Sequence, residues 1–259
     1  MRIASISDLH LGQNPALDGF RGAEAKLLGL LDHLERDHDR IVLLGDIFAT
    51  DYGRVPGSCA EALRRTLDRY RTTHQRWQNG PYTLIFGNHD PITQVELGAR
   101  EHLELEYRDF RVRWLHGHQF DPLLGPHAPL TTWAIGGIRR LGARGLADLL
   151  EGPVYDRGLD IAARFGKSLA RGASEIASRG QADVVVMGHT HQPACRASGR
   201  GIYANAGATT ADHLSWASVD LANREVRVSK LEGGTITELG VCSAVGPTRA
   251  LELDDLAAQ

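Results

Sequence analysis

The chain has 259 residues, 42% hydrophobic and 24% charged, enough for one large domain whose core needs no disulfide or metal staple. Its net charge of −3 lacks the overall basic signature of a nucleic-acid binder. Cys59, Cys195 and Cys242 form no CxxC pattern, as expected for a reducing compartment, and no run approaches the ~20 apolar residues that span a bilayer.

Residues 2–7 (RIASIS) form a short β-rich run that stops at Asp8, which predicts a first strand. Phe20, Leu27, Leu31 and Leu34 then mark a helix. IVLLG (41–45) reads as a strand buried on both faces and ends at Asp46. Ala60, Leu63, Leu67, Tyr70, His74 and Trp77 recur at three and four residues, predicting one amphipathic helix. YTLIF (82–86) reads as another buried strand, running into Gly87-Asn88-His89-Asp90. Leu103, Leu105 and Tyr107, then Phe110, Val112, Trp114 and His116, alternate along two runs, the period of strands. DVVVMG (183–188) predicts a buried strand ending at His189-Thr190-His191, and shorter strands are expected near 202–206, 214–220 and 225–231. The last residues, from about 240, carry little pattern, so the main domain is expected over 1–240 with a tail at 241–259.

Asp8, Asp46, Asn88 and His189 each fall just past the end of an apolar strand. Ligands of open α/β sheets bind at such strand ends. Asp8-Leu9-His10, Gly45-Asp46, Gly87-Asn88-His89-Asp90, His116-Gly117-His118 and Gly188-His189-Thr190-His191 together offer oxygen and imidazole donors without a thiolate. That mix suits Mn²⁺, Fe, Zn²⁺ or Co²⁺, with Mn²⁺ the expected ion. There are ligands for two ions if one carboxylate bridges them, and ions about 3.5–4 Å apart can clamp both oxygens of an in-line phosphoryl displacement. The glycines before Asp46, Asn88 and His189 would permit tight turns and a close approach to phosphate. Singly, Asp8 or Asp46 reads as a helix cap or turn residue, and GHTH as a loop; it is their joint occurrence that points to a site.

The ordered set D-x-H, G-D, G-N-H-D, a lone His and G-H-x-H over residues 8–191 resembles the calcineurin-like metallophosphoesterase superfamily. The resemblance implies an α/β fold in which two mixed β-sheets form a sandwich flanked by helices. It implies that Asp8, His10 and His191 hold one ion, that Asn88, His116 and His189 hold the other, and that Asp46 bridges them. His89 would contact the phosphate or protonate the leaving oxygen, with Asp90 orienting it. His118 reads equally as a support for the ligands or as a structural residue. A catalytically inactive interaction scaffold descended from such an enzyme is the alternative of another class, but it would be expected to lose a ligand.

About sixty residues separate the lone-histidine block from GHTH, more than a strand connection needs. Ile135, Ile138, Leu141, Leu146, Leu149 and Leu150, then Leu159, Ala162, Phe165, Leu169 and Ile176, predict helices in a cap insertion over about 122–180. Between 139 and 171 seven basic residues face four acidic ones. Arg139, Arg140, Arg164 and Lys167 are therefore candidate contacts for an amphiphilic anionic substrate or an anionic membrane surface, unless the apolar face of these helices simply packs on the core. The DLHL opening, HGH-x-F-D, the position of the insertion and GHTH-x-P are similar to the UDP-2,3-diacylglucosamine hydrolase family, which differs at His89 in carrying Arg there. That resemblance implies release of UMP and a lipid 1-phosphate from a lipid-linked nucleotide. The alternative is a broad phosphodiesterase or phosphomonoesterase acting on small nucleotides or phosphoproteins. A cleavable leader would remove the motif that begins at Asp8, so a cytoplasmic location is expected, with peripheral contact at the inner membrane face.

Overall fold

A computed structural model describes residues 1–13, 18–50, 58–121, 159–198 and 201–244. Its strands and helices follow in the order β1 (Arg2–Ile6), α1 (Glu24–Asp37), β2 (Arg40–Leu44), α2 (Cys59–Arg69), α3 (Arg71–Asn79), β3 (Tyr82–Ile85), α4 (Ile92–Leu97), β4 (His102–Tyr107) and β5 (Phe110–Leu115). A 3₁₀ turn at His118–Phe120 comes next, then α5 (Leu159–Ser178), β6 (Val184–Met187), β7 (Ala194–Ser198), β8 (Gly201–Asn205), β9 (Leu214–Asp220), β10 (Glu225–Glu232) and β11 (Thr235–Ser243).

Two mixed sheets result, as expected. One has the order β11-β10-β9-β1-β2-β3 and the other β4-β5-β6-β8-β7. β1, β2 and β3 run parallel, as do β5, β6 and β8. Apolar side chains of the facing surfaces close the space between the sheets: Ile3, Val42, Leu44 and Ile85 from one, Phe110, Val112, Trp114, Val184 and Val186 from the other. The Trp114 indole is fully buried there and donates from Nε1 to Ser5 Oγ at 3.0 Å, joining β5 to β1. The alternation read in residues 103–116 is this inward face.

The outer face of the first sheet is covered by α1 and its neighbours, through Leu27, Leu31, Leu34, Leu63, Tyr70 and Trp77. The helix expected across 60–77 is two helices, broken at Tyr70 (φ −104°, ψ 45°). The Tyr70 hydroxyl donates to Asp18 Oδ2 at 2.6 Å and accepts from the Gly22 N–H at 3.1 Å, so a fixed tertiary anchor overrides continuous helix. β3 is the edge of its sheet rather than a buried strand, and within it only Ile85 is fully enclosed. β7 and β11 were not expected. Both are edge strands, and β11 is mostly exposed, so neither has the one-sided apolar alternation that announces a strand. β11 carries the sheet to Ser243, beyond the expected boundary at 240.

The helix expected from Leu159 is α5. Leu169, Ala173 and Ile176 pack with Val185, Met187 and Tyr203 on the outer face of the second sheet, so this part of the expected cap insertion is core-packing helix. The rest of that insertion, with Arg139 and Arg140, lies outside the described residues. So does the Arg164 side chain. Among the described residues no helix is long and apolar enough to cross a membrane.

Candidate metal centre

The parallel strands carry their polar blocks to one edge. Backbone bonds stitch the loops there: Asp8 N–H to Gly45 O at 3.1 Å, and His10 N–H to Asp46 O at 3.0 Å. Two groups of ligand atoms gather, Asp8 with His10 and His191, and Asp46 with His116 and His189. In the first, His191 Nε2 lies 3.3 Å from Asp8 Oδ1 and 3.3 Å from His10 Nε2. In the second, His116 Nε2 lies 3.1 Å from Asp46 Oδ2.

This convergence costs backbone strain. Asp8, His10, Asp46, His189 and His191 all have positive φ, between 47° and 70°, where a side chain with a Cβ is disfavoured. The glycines of the motifs make room for the site's own side chains. A Cβ on Gly45, itself at φ +87°, would lie 2.5 Å from the His116 ring. One on Gly87 would collide with the Asp46 carboxylate, and one on Gly188 with Ser7 Oγ and Asp8 Oδ2.

Each carboxylate has one oxygen committed and one directed inward. Asp8 Oδ2 accepts from Ser7 Oγ at 2.5 Å and from the His189 N–H at 2.9 Å, while Asp8 Oδ1 is buried without a hydrogen-bond partner. Asp46 Oδ1 accepts from the His89 N–H at 2.8 Å, which leaves Oδ2 on the His116 side. His116 Nδ1 meets the Leu44 carbonyl at 2.9 Å and so donates to it; Nε2 faces Asp46 Oδ2. Asn88 is buried too, and its Oδ1 is equally unpartnered. Two such oxygens on one buried edge, Asp8 Oδ1 and Asn88 Oδ1, fit divalent cations, because an unpaired buried polar group is otherwise costly.

The charges agree with that fit. Despite burial, the neighbouring His191 lowers Asp8 to about 2. Against its burial, Asp46 is held well below the usual carboxylate range by His116 and His89. Against the same cost, Asp46 raises His116 to about 9. Burial pushes His10 and His118 each down to about 3 and lowers His189. The lowering at His10 and His189 favours the neutral form that metal ligation requires.

Beside the ligands, the His89 ring stands edge-on to His10 with centroids 5.3 Å apart. The Asp90 carboxylate accepts backbone N–H bonds from Gly87, Ile47 and Phe48, at 2.6, 2.7 and 3.1 Å. It ties the loop after β3 to the loop after β2, so it bears on His89 through the turn. Burial, then the charge of Asp46, raises Asp90 to about 7. His118 is mostly enclosed between His116 and Phe86, at ring separations of 5.6 and 6.4 Å. Lys167 is exposed on α5. Two residues escaped the sequence reading. Ser7 is the bond that fixes Asp8, and Asp121, buried at 2% exposure, holds His189 Nε2 at 2.9 Å. The acid that closes HGHQFD was the only available signal for Asp121.

Solved structures with a similar course include a predicted phosphoesterase from Streptococcus pneumoniae, at 16% identity over 92% of this chain and 95% of that one, with a TM-score of 0.43. Vacuolar protein sorting 29 from Cryptosporidium parvum matches at 14% identity, 93% and 97% coverage and a TM-score of 0.49. An archaeal phosphodiesterase matches at 14%, 89% and 100%, with a TM-score of 0.42. No curated protein matches. The family model for calcineurin-like phosphoesterases covers residues 1–193, the span that holds every ligand named above, and the chain belongs to that family of metal-dependent phosphoesterases.

Proposed function

We propose that the protein hydrolyses a phosphate ester or phosphoanhydride with two divalent ions, Mn²⁺ being the favoured metal. Asp8, His10 and His191 would hold one ion, Asn88, His116 and His189 the other, with Asp46 shared. The observation that carries this reading is the pair of buried ligand groups, flanked by the unpartnered oxygens of Asp8 and Asn88 and by His116 Nε2. When bound, such a pair supplies a water of lowered pKa and offsets negative charge on the phosphoryl oxygens. The chain's own residues do the rest. Asp46 and Asn88 fix the ligand geometry, Asp90 holds the turn, and His89, on the His10 side of the site, contacts the phosphate or delivers a proton to the leaving oxygen.

For the substrate, the DLHL, HGH-x-F-D and GHTH-x-P segments favour a lipid-linked nucleotide diphosphate such as UDP-2,3-diacylglucosamine, with peripheral contact at the cytoplasmic membrane face. Arg139, Arg140, Arg164 and Lys167 are its proposed anionic contacts. A second reading, a phosphodiesterase or phosphomonoesterase of broader range, is favoured by His89 itself. A histidine can give up a proton to a leaving alkoxide, which the always-charged arginine of the lipid-linked hydrolases cannot do. Incubation with Mn²⁺ and UDP-2,3-diacylglucosamine, beside a panel of aryl phosphate mono- and diesters, separates the two. UMP release well above aryl ester turnover supports the first, and aryl turnover without UMP supports the second. No hydrolysis of any member by metal-loaded protein would overturn both in favour of a scaffold, a reading that the complete ligand set opposes.

A further inference from the structure

Asp121 ends the short 3₁₀ turn that follows β5, its N–H bonded to His118 O at 3.1 Å. The turn is pinned from outside. Ser168 of α5 bonds the Phe120 carbonyl, and the Phe120 ring occupies the space that a Cβ on Gly172 would fill. Its carboxylate is thus delivered, almost fully buried, to the His189 ring, with Oδ2 2.9 Å from Nε2. The group that gathers at this side of the site is Asp46, His116 and His189, and Asp121 meets it at His189 Nε2. A carboxylate only accepts hydrogen bonds, so Nε2 carries the proton and Nδ1 of a neutral imidazole is left as the lone-pair donor.

We propose that Asp121 is a positioning residue: it selects the tautomer and ring orientation in which His189 presents Nδ1 to the ion shared with Asn88 and His116. The inference rests on the two-ion reading of the site. Carboxylates behind ligating histidines fix the ring and raise its basicity, and their removal weakens metal binding by about 10- to 100-fold.

The test is calorimetric titration of metal-free wild type, Asp121→Ala and Asp121→Asn with Mn²⁺, with Co²⁺ absorption spectra and melting temperatures recorded alongside. The expected result is a loss of about 10- to 100-fold at one ion only, an altered Co²⁺ spectrum, and a smaller loss at that same ion in the isosteric Asn variant. Wild-type affinity for both ions in both variants would overturn the proposal. So would equal weakening of both ions with a lowered melting temperature, the mark of a packing role. Wild-type protein that takes up fewer than two ions would overturn the two-ion reading, and this inference with it.

Discussion

The two oxygens of Asp46, the proposed shared ligand, are unequal. Oδ1 is held by the His89 N–H at 2.8 Å, and Oδ2 faces His116 at 3.1 Å. The same amide ties the turn that carries His89 to Asp46, and the side-chain roles proposed for 88 and 89 can be tested separately. Asn88→Ala is expected to weaken one ion and slow turnover together, as read by metal titration beside kinetics. His89→Ala should bind both ions normally yet turn over ~10²–10⁴-fold more slowly, the contribution of a general acid; an unchanged rate would remove its assigned role. Six of the seven expected ligands, all but Asn88, fall in the two gathered groups, and the sequence singled them out because each belongs to a compact block of two to four residues. Ser7 and Asp121 were not legible, since a lone Ser or Asp acquires meaning only from the ring or carboxylate that folding sets beside it.

At the scale of the elements, the site is a set of turns forced into left-handed backbone so that loops from two sheets can meet. Gly45 shows how tight that meeting is, with positive φ and the His116 ring where a side chain would begin. Gly45→Ala is expected to destabilise the fold by about 1–3 kcal/mol through backbone strain and to displace His116, lowering affinity for its ion. Denaturant unfolding and metal titration measure the two effects, and an unaltered variant would contradict the packing described. The buried strands β1, β2 and β6 were readable from their apolar runs, and β5 from its period-two alternation. The break at Tyr70 was not, because it depends on Asp18 and Gly22, some fifty residues away. β7 and β11 were missed for a different reason: an edge strand with solvent on its face needs no strict alternation.

In the whole molecule, two sheets meet through Trp114 and its neighbours and leave one polar edge, where charge rather than packing decides behaviour. Against the cost of burial, the Asp46 carboxylate raises His116 from an ordinary value of 6.5 to about 9. Because this pKa is raised on folding, its stabilising contribution is fully present below pH 6.5 and is lost as pH rises through about 9. Asp90, raised to about 7, loses its contribution in the same direction at lower pH. If His116 ligates an ion as proposed, that ion replaces its proton, so the melting-temperature gap between metal-loaded and metal-free protein should widen from pH 6.5 to 9, and metal affinity should rise by about tenfold per unit for one displaced proton. A gap that narrows over that window would contradict the assignment. The most direct test of the central claim is elemental analysis of active protein paired with turnover of an aryl phosphate by Asp46→Asn. Two divalent ions per chain, with hydrolysis lost in the variant, is the expected result; hydrolysis by ion-free protein, or a variant with full ion content and rate, would contradict it.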